Sequence, residues 1–262
     1  SGRASHRGPN LAQVPKTSLP YGQECRELFT VPDGWWLTGA DLSGIELRCL
    51  SHYLNDGGEY AAQILEGDIH SYNAKAFGVD RNTSKTLVYA LMYGSGDLNL
   101  GKIAGKGAKY GKELKANFNK NIPAFGSLLQ RLIAAHKKRG HLIGLDGRKL
   151  YIRSQHKLLS QLLQSCGAIL SMKWVELIYH EINRQHGDDA YIVGWIHDEV
   201  QIACRSQRLD EHGPGHGRRG VHRLAPRRAP PGRGARGACP RRPLLRPPRQ
   251  CPRRGGALRG LH

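Results

Sequence analysis

The chain has 262 residues, 39% of them hydrophobic, and a formal net charge of +19. Its length allows one large domain or two small ones, and the absence of a signal peptide or an apolar run of bilayer length argues against a secreted or helical membrane protein. Fifteen arginines, no lysine and only two acids, Asp210 and Glu211, fall after residue 205, so residues 1–205 keep a moderate +6, which suits a polyanionic partner without demanding one.

Residues 1–24 are polar and broken by Gly and Pro, which predicts an extended surface segment. WWLTGADL at 35–42 reads as a strand. Ser43 followed by Glu46 is a capping-box pattern, opening a helix through Tyr53. Short helices are expected at 59–66 and 69–77. Asp80 precedes a helical pattern over 81–93 that stops at Gly94. Lys-rich helices follow at 111–120 and 124–139, then a hairpin over 144–154 around Asp146-Gly147. A long amphipathic helix over 158–186 places Leu159, Leu162, Leu163, Cys166, Ile169, Leu170, Trp174 and Leu177 on its apolar side. AYIVGWI at 190–196 and VQIAC at 200–204 alternate around His197-Asp198-Glu199, predicting a hairpin with two acids at its tip.

Residues 206–262 hold Arg, Pro, Gly and Ala in no period and cannot bury enough surface to fold, so a disordered tail is expected. The abrupt switch to Arg-only usage matches out-of-frame translation of a GC-rich gene, which translating the other two frames would test. Six cysteines lack CxxC or zinc spacing and read as reduced, buried thiols of a cytoplasmic protein. The chain begins at Ser in mid-pattern, as a piece of something longer would.

Three stretches carry the chemistry: DLSGIELR at 41–48, RNTSKTLVYALMYG at 81–94 and HDE at 197–199. Arg81, Lys85, Tyr89 and Tyr93 are spaced by four, so they share one helix face, two cations followed by two rings. Taken singly, a solvated edge beside a core stripe explains that face, and a turn or cap explains each acid. Together, Asp41 and Asp198 supply carboxylates from separate strands and the helix supplies cations for phosphates, the parts needed for nucleotidyl transfer.

In DLSGIELRCLSHYL, RNTSKTLVYALMYG and IHDEVQI, and in the connectors LEGDIH, LDGRKLYIRS and LLQSCGAIL, the chain resembles the family A (Pol I-like) DNA polymerases, the bacteriophage replicative type above all. The resemblance runs from the N-terminus to about Cys204. It implies an α+β right-hand polymerase: a palm with an antiparallel sheet, about 1–58 and 141–205, and a helical fingers subdomain, about 59–140. It implies two Mg²⁺ ions on Asp41, Asp198 and the Leu42 carbonyl, with Glu199 secondary. It implies triphosphate contacts from His70, Arg81 and Lys85, stacking of Tyr89 on the nascent pair with tolerance of dideoxynucleotides, and exclusion of ribonucleotides by Glu46 and Tyr93. Arg3, Asn10, Gln13, Arg148, Gln164 and His197 resemble residues lining the primer–template minor groove. The implied partners are primer–template DNA and dNTPs, with no membrane; a processivity factor or a separate thumb or exonuclease chain is left open.

The departures are expectations too. The family's thumb and exonuclease precede the start of this sequence, and the tail replaces a helix and a final strand. Ser160 and Ala12 stand where many relatives carry amides. The rival readings are a single-subunit RNA polymerase, opposed by Glu46, Tyr93 and Glu199, and a non-catalytic basic nucleic-acid binder.

Overall fold

The end of β1 (Trp35–Asp41), which follows α1 (Gly22–Glu27), is where the architecture is decided. The computed structural model describes residues 2–205 and 221–223. After β1 the chain turns into α2 (Ile45–Leu54) and then a run of helices: α3 (Glu59–Leu65), α4 (Ile69–Phe77), α5 (Arg81–Met92), α6 (Asp97–Ile103), α7 (Ala108–Asn121) and α8 (Pro123–Arg139). A short hairpin, β2 (Leu142–Ile143) and β3 (Lys149–Leu150), leads to the long α9 (Leu158–Gln185). The chain returns through β4 (Ala190–Ile196) and β5 (Glu199–Arg205), and β6 (Val221–Arg223) is a further described strand.

The sheet is antiparallel, in the order β4-β5-β1-β6. Asp41 pairs with Glu199 and Trp35 with Arg205, so β5 runs the whole length of β1. With a period of two, Asp41, Glu199 and Gln201 share one face, while Trp36, Ile202 and Cys204 share the other. The second face rests on the far half of α9 through a small core of Ile182, Ala190 and Cys204, with Trp36, Ile178, Ile192 and Ile202 packed around it.

The helical lobe has the larger core. Phe77 stacks on Phe118 at 4.4 Å between ring centroids, and Phe118 meets Phe125 edge-on at 5.2 Å. Leu50, Leu87, Leu100 and Leu114 fill the space around them with no exposed surface. Offset and edge-on rings of this kind add to the burial of their apolar area.

Local chemistry sets the helix ends. Asp80 accepts hydrogen bonds from the Asn82 and Thr83 amides, both at 3.0 Å, and starts α5. Gly94 ends it at φ +78°, in close approach to the His156 carbonyl, so any side chain there would collide with main chain.

Several sequence expectations are corrected. The Ser43–Glu46 capping box does not form: α2 begins after Gly44, which takes φ +63° with no side-chain cap, and the Glu46 carboxylate is used elsewhere. Helices α1 and α6 went unpredicted because each is short and rich in Gly and polar residues. The predicted apolar stripe of α9 is buried at Leu159, Leu162, Leu163 and Cys166 but exposed at Leu170 and Leu177, because the sheet and helix α2 cover only parts of so long a helix. Of the tail expected to be disordered, Val221–Arg223 is a strand on β1, whose edge N–H and C=O groups are open to pairing; the rest of that expectation lies outside the described residues. Of the cysteines expected to be buried thiols, Cys49, Cys166 and Cys204 are buried and free, Cys25 is free but only half-buried, and Cys239 and Cys251 lie outside the described residues. Among the described residues no helix is long and apolar enough to cross a membrane.

Candidate functional site

Main-chain pairing brings the two acids of the outer motifs together. Asp41 is the last residue of β1 and lies opposite Glu199. Beyond it, the Leu42 amide donates to the Asp198 carbonyl at 2.9 Å. Asp198 sits in the two-residue connection between β4 and β5, where His197 takes φ +58°. A bulky residue in that region is strained, and strain of this kind persists only where the surroundings enforce it. They do so here. The His197 carbonyl accepts from Ser171 Oγ of α9 at 2.6 Å and from Trp195 Nε1 at 2.8 Å. The hairpin tip is thereby clamped to α9. His6 of the N-terminal segment adds a contact to the Trp195 carbonyl at 3.1 Å.

The Leu42 carbonyl accepts from the Ile45 amide at 3.2 Å and keeps its second lone pair. Glu199 accepts from Gln201 along the same face of β5. Two carboxylates and a main-chain carbonyl are hard oxygen donors, few in number, as suits a divalent ion that also takes substrate oxygens. Among the described residues there is no cluster of three or more His, Cys, Asp or Glu side chains arranged to hold a metal without such help.

Helix α5 faces this acidic end. Tyr89 is half-buried, and its phenol is pushed upward by burial first and then by the charges of Glu46, Asp198 and Asp41. One side chain thus senses all three carboxylates. Tyr93 donates to both oxygens of Glu46, at 2.6 and 2.8 Å. Burial and that bond raise its pKa to about 12, so it remains a donor through neutral pH. Arg3 reaches the same carboxylate at 2.8 Å, and the Glu46 side chain is only 12% exposed. Gln164 of α9 lies close enough to Tyr93 to lower its pKa slightly against those effects.

The cationic end lies one to two turns back along α5. Arg81 donates through Nε and Nη2 to the two oxygens of Asp68, at 2.7 and 3.2 Å. Asp68 also accepts from the His70 amide and from Ser71 Oγ, capping α4. The Arg81 fork, then Ser71, hold the Asp68 carboxyl well below the usual range. His70 is depressed by burial first, then by Arg81 and Lys85, and its buried Nδ1 has no partner. Lys85 is exposed, with no hydrogen bond or ion pair found to it among the described residues.

Asp41, Leu42, Glu46, His70, Arg81, Lys85, Tyr89, Tyr93, Asp198 and Glu199 lie around one sheet end and one helix face. The candidate groove residues are scattered by comparison. Arg3 serves Glu46, Gln164 serves Tyr93 and His197 forms the hairpin tip. Arg148 pairs with Asp146 at 2.7 Å and lies against Gly2. Asn10 caps a short turn by accepting from the Ala12 amide, and Gln13 is exposed. Asp68 was missed. Its signal was present, an Asp just before a helical apolar pattern, but nothing in the sequence tied it to Arg81.

The sequence pattern described as DNA polymerase family A matches residues 1–214. The DNA-directed DNA polymerase of Enterobacteria phage T3 is 42% identical over 240 residues, covering 80% of this chain and 34% of the relative. That of Escherichia phage T7 is 41% identical with the same coverage. The chain thus spans about a third of the length of these relatives. A solved polymerase domain of Pol1 from M. smegmatis, in complex with DNA primer-template and dNTP, superposes with a TM-score of 0.66 at 23% identity, covering 77% of this chain and 39% of that one. That likeness bears on the fold, a mix of helices and antiparallel sheet. By the match over residues 1–214, the chain belongs to DNA polymerase family A.

Proposed function

We propose that this chain is the palm and fingers portion of a DNA-templated DNA polymerase that adds dNTPs to a primer 3′-hydroxyl during replication. The observation that carries this reading is the joining of Leu42 to Asp198 at 2.9 Å, which sets both motif acids at one sheet end facing Tyr89. The sheet with α2 and α9 is the palm, and α3 to α8 are the fingers. Asp41 and Asp198, with the Leu42 carbonyl, would hold two Mg²⁺ ions, and Glu199 stands beside them. When bound, such ions acidify the primer hydroxyl and neutralise the departing pyrophosphate.

The chain's own residues do the rest. Lys85, Arg81 and His70 bind the triphosphate: Lys85 as an exposed point charge, Arg81 through the guanidinium edge that Asp68 leaves open, and His70 through its ring. Tyr89 offers its ring to the base pair being formed. Glu46 and Tyr93, bonded to each other, would close over the sugar 2′ position and exclude a ribonucleotide. Arg3, Asn10, Gln13, Arg148, Gln164 and His197 would track the minor groove of the primer–template. Arg3 and Gln164 do so beside the groups they already support. The bonded Glu46–Tyr93 pair favours deoxynucleotides over the RNA-polymerase alternative.

Primer extension by the purified chain with Mg²⁺, in separate reactions with dNTPs and with rNTPs, tests this reading. Template-directed addition of dNTPs alone, abolished in Asp198→Ala, is expected. Extension that survives Asp198→Ala, or that prefers rNTPs, would overturn it.

A further inference from the structure

The short hairpin of β2 and β3 carries surface features that the site does not use. From Lys149 to Arg153 exposure alternates strictly: Lys149, Tyr151 and Arg153 point outward, while Leu150 and Ile152 are buried. Tyr151 is 75% exposed. Beside it, across the hairpin, stands His141, whose ring lies 5.6 Å from the Tyr151 ring at 46°. The His141 ring is itself fixed, through Nδ1, to the Arg139 carbonyl at 2.8 Å. The surroundings are one-signed: residues 131–157 contain eight Lys and Arg and a single acid, Asp146, which Arg148 already neutralises. Two rings flanked by cations, at the open end of a hairpin anchored by the buried Leu150 and Ile152, form a stacking platform with phosphate contacts on both sides.

The platform is also placed next to the site. The segment that follows it, through His156, abuts Gly94 at the end of α5, one residue beyond Tyr93. We propose that the outward face of this hairpin, with Tyr151 and His141 as the stacking rings and Lys149 and Arg153 as phosphate contacts, binds the unpaired template strand ahead of the primer terminus. The inference rests on the polymerase reading. A ring can stack only on a base whose face is open, and paired bases inside a duplex offer none. In a templated extension, the single strand that must lie near the end of α5 is template not yet copied. A purely electrostatic surface would need no exposed tyrosine.

The test measures equilibrium binding of the full chain, by fluorescence anisotropy, to two primer–templates: one blunt-ended, one with an unpaired 5′ template extension. A third carries the same extension with abasic sites. The extension should tighten binding by wild type, and the abasic extension should not. Tyr151→Ala should reduce the gain from the extension by about tenfold, within the worth of one base–aromatic stack, and leave blunt-duplex binding unchanged. Tyr151→Phe should keep the gain. Lys149→Ala should lower the gain and its salt dependence. If Tyr151→Ala leaves the gain intact while Lys149→Ala and Arg153→Ala abolish it, the face is a general polyanion surface, an acidic peptide included, and the proposal falls. Blunt-duplex binding with no gain from the extension overturns this proposal alone. A folded chain that binds neither DNA overturns it together with the polymerase reading.

Discussion

Asp41 and Asp198 are placed by main chain: a strand register, one amide-to-carbonyl bond at 2.9 Å, and a hairpin tip clamped by Ser171 and Trp195. Across from them Arg81 and Lys85 reach out from α5 on long side chains, Arg81 held by a bidentate pair with Asp68 and Lys85 exposed. The two halves of the site are therefore built to different tolerances. Carboxylates that share metal ions must sit within tenths of an ångström of their places, which backbone pairing can deliver. Cations that meet a mobile triphosphate act over a longer range and gain from freedom until the ligand arrives. The same contrast appears in packing, because the acids lie on a sheet with a small core of its own, while α5 rests on the large aromatic core of the helical lobe.

The largest effect should come from the rigid half. Asp41→Ala or Asp198→Ala should lower single-nucleotide incorporation by about a thousandfold or more, since metal stabilisation of the transition state is worth several kcal/mol. Circular dichroism should be unchanged, because neither side chain is part of a core. A loss of tenfold or less would mean that the two halves do not differ as described.

The flexible half should respond through binding. Lys85→Ala should raise the apparent KM for dNTP by about ten- to a hundredfold, the worth of one charge-assisted hydrogen bond, with primer–template affinity kept. Equal losses in both would remove Lys85 from the triphosphate site.

The clamp behind the acids can be loosened by itself. Trp195→Phe deletes the indole donor to the His197 carbonyl and to Ser171 Oγ. It should cost about 1 kcal/mol of stability in urea titration and lower kcat more than it changes KM for dNTP. A change confined to KM would argue that the hairpin tip does not depend on that clamp.

The smallest effect is a pH dependence at the join between the halves. Tyr93 has its pKa raised to about 12 by burial and by its bond to Glu46. A raised folded pKa means that the stabilisation is fully present below the ordinary tyrosine value near 10 and is lost between there and about 12. The stability difference between wild type and Tyr93→Phe should therefore be constant from pH 7 to 10 and shrink above it. A difference that grew with pH would reverse the assignment.

Much of this was legible in the sequence, for reasons that can be named. Asp80 before a four-residue spacing fixed α5 and its face, since caps and helical period are local properties. Asp146-Gly147 marked a turn, and alternation marked β4 and β5. The approach of Asp41 to Asp198 was not legible, because 157 positions separate them and pairing of β1 with β5 is a tertiary choice. The capping box misled for a physical reason: Gly44 takes the left-handed conformation that Ser43 and Glu46 would otherwise have made unnecessary, which frees the Glu46 carboxylate for Arg3 and Tyr93. Arg3 and Asp68 illustrate the limit. Each was visible as a charge, and neither revealed its partner.

The most direct test of the shared acidic site is to count Mn²⁺ ions bound by the chain, by electron paramagnetic resonance, with primer–template and a non-hydrolysable dNTP present. Wild type should hold two, and Asp41→Ala, Asp198→Ala and the double variant should each lose binding to about the same extent, because the two carboxylates act as one unit. Full Mn²⁺ binding by either single variant, with the protein folded, would contradict a site built by joining β1 to the tip of the β4–β5 hairpin.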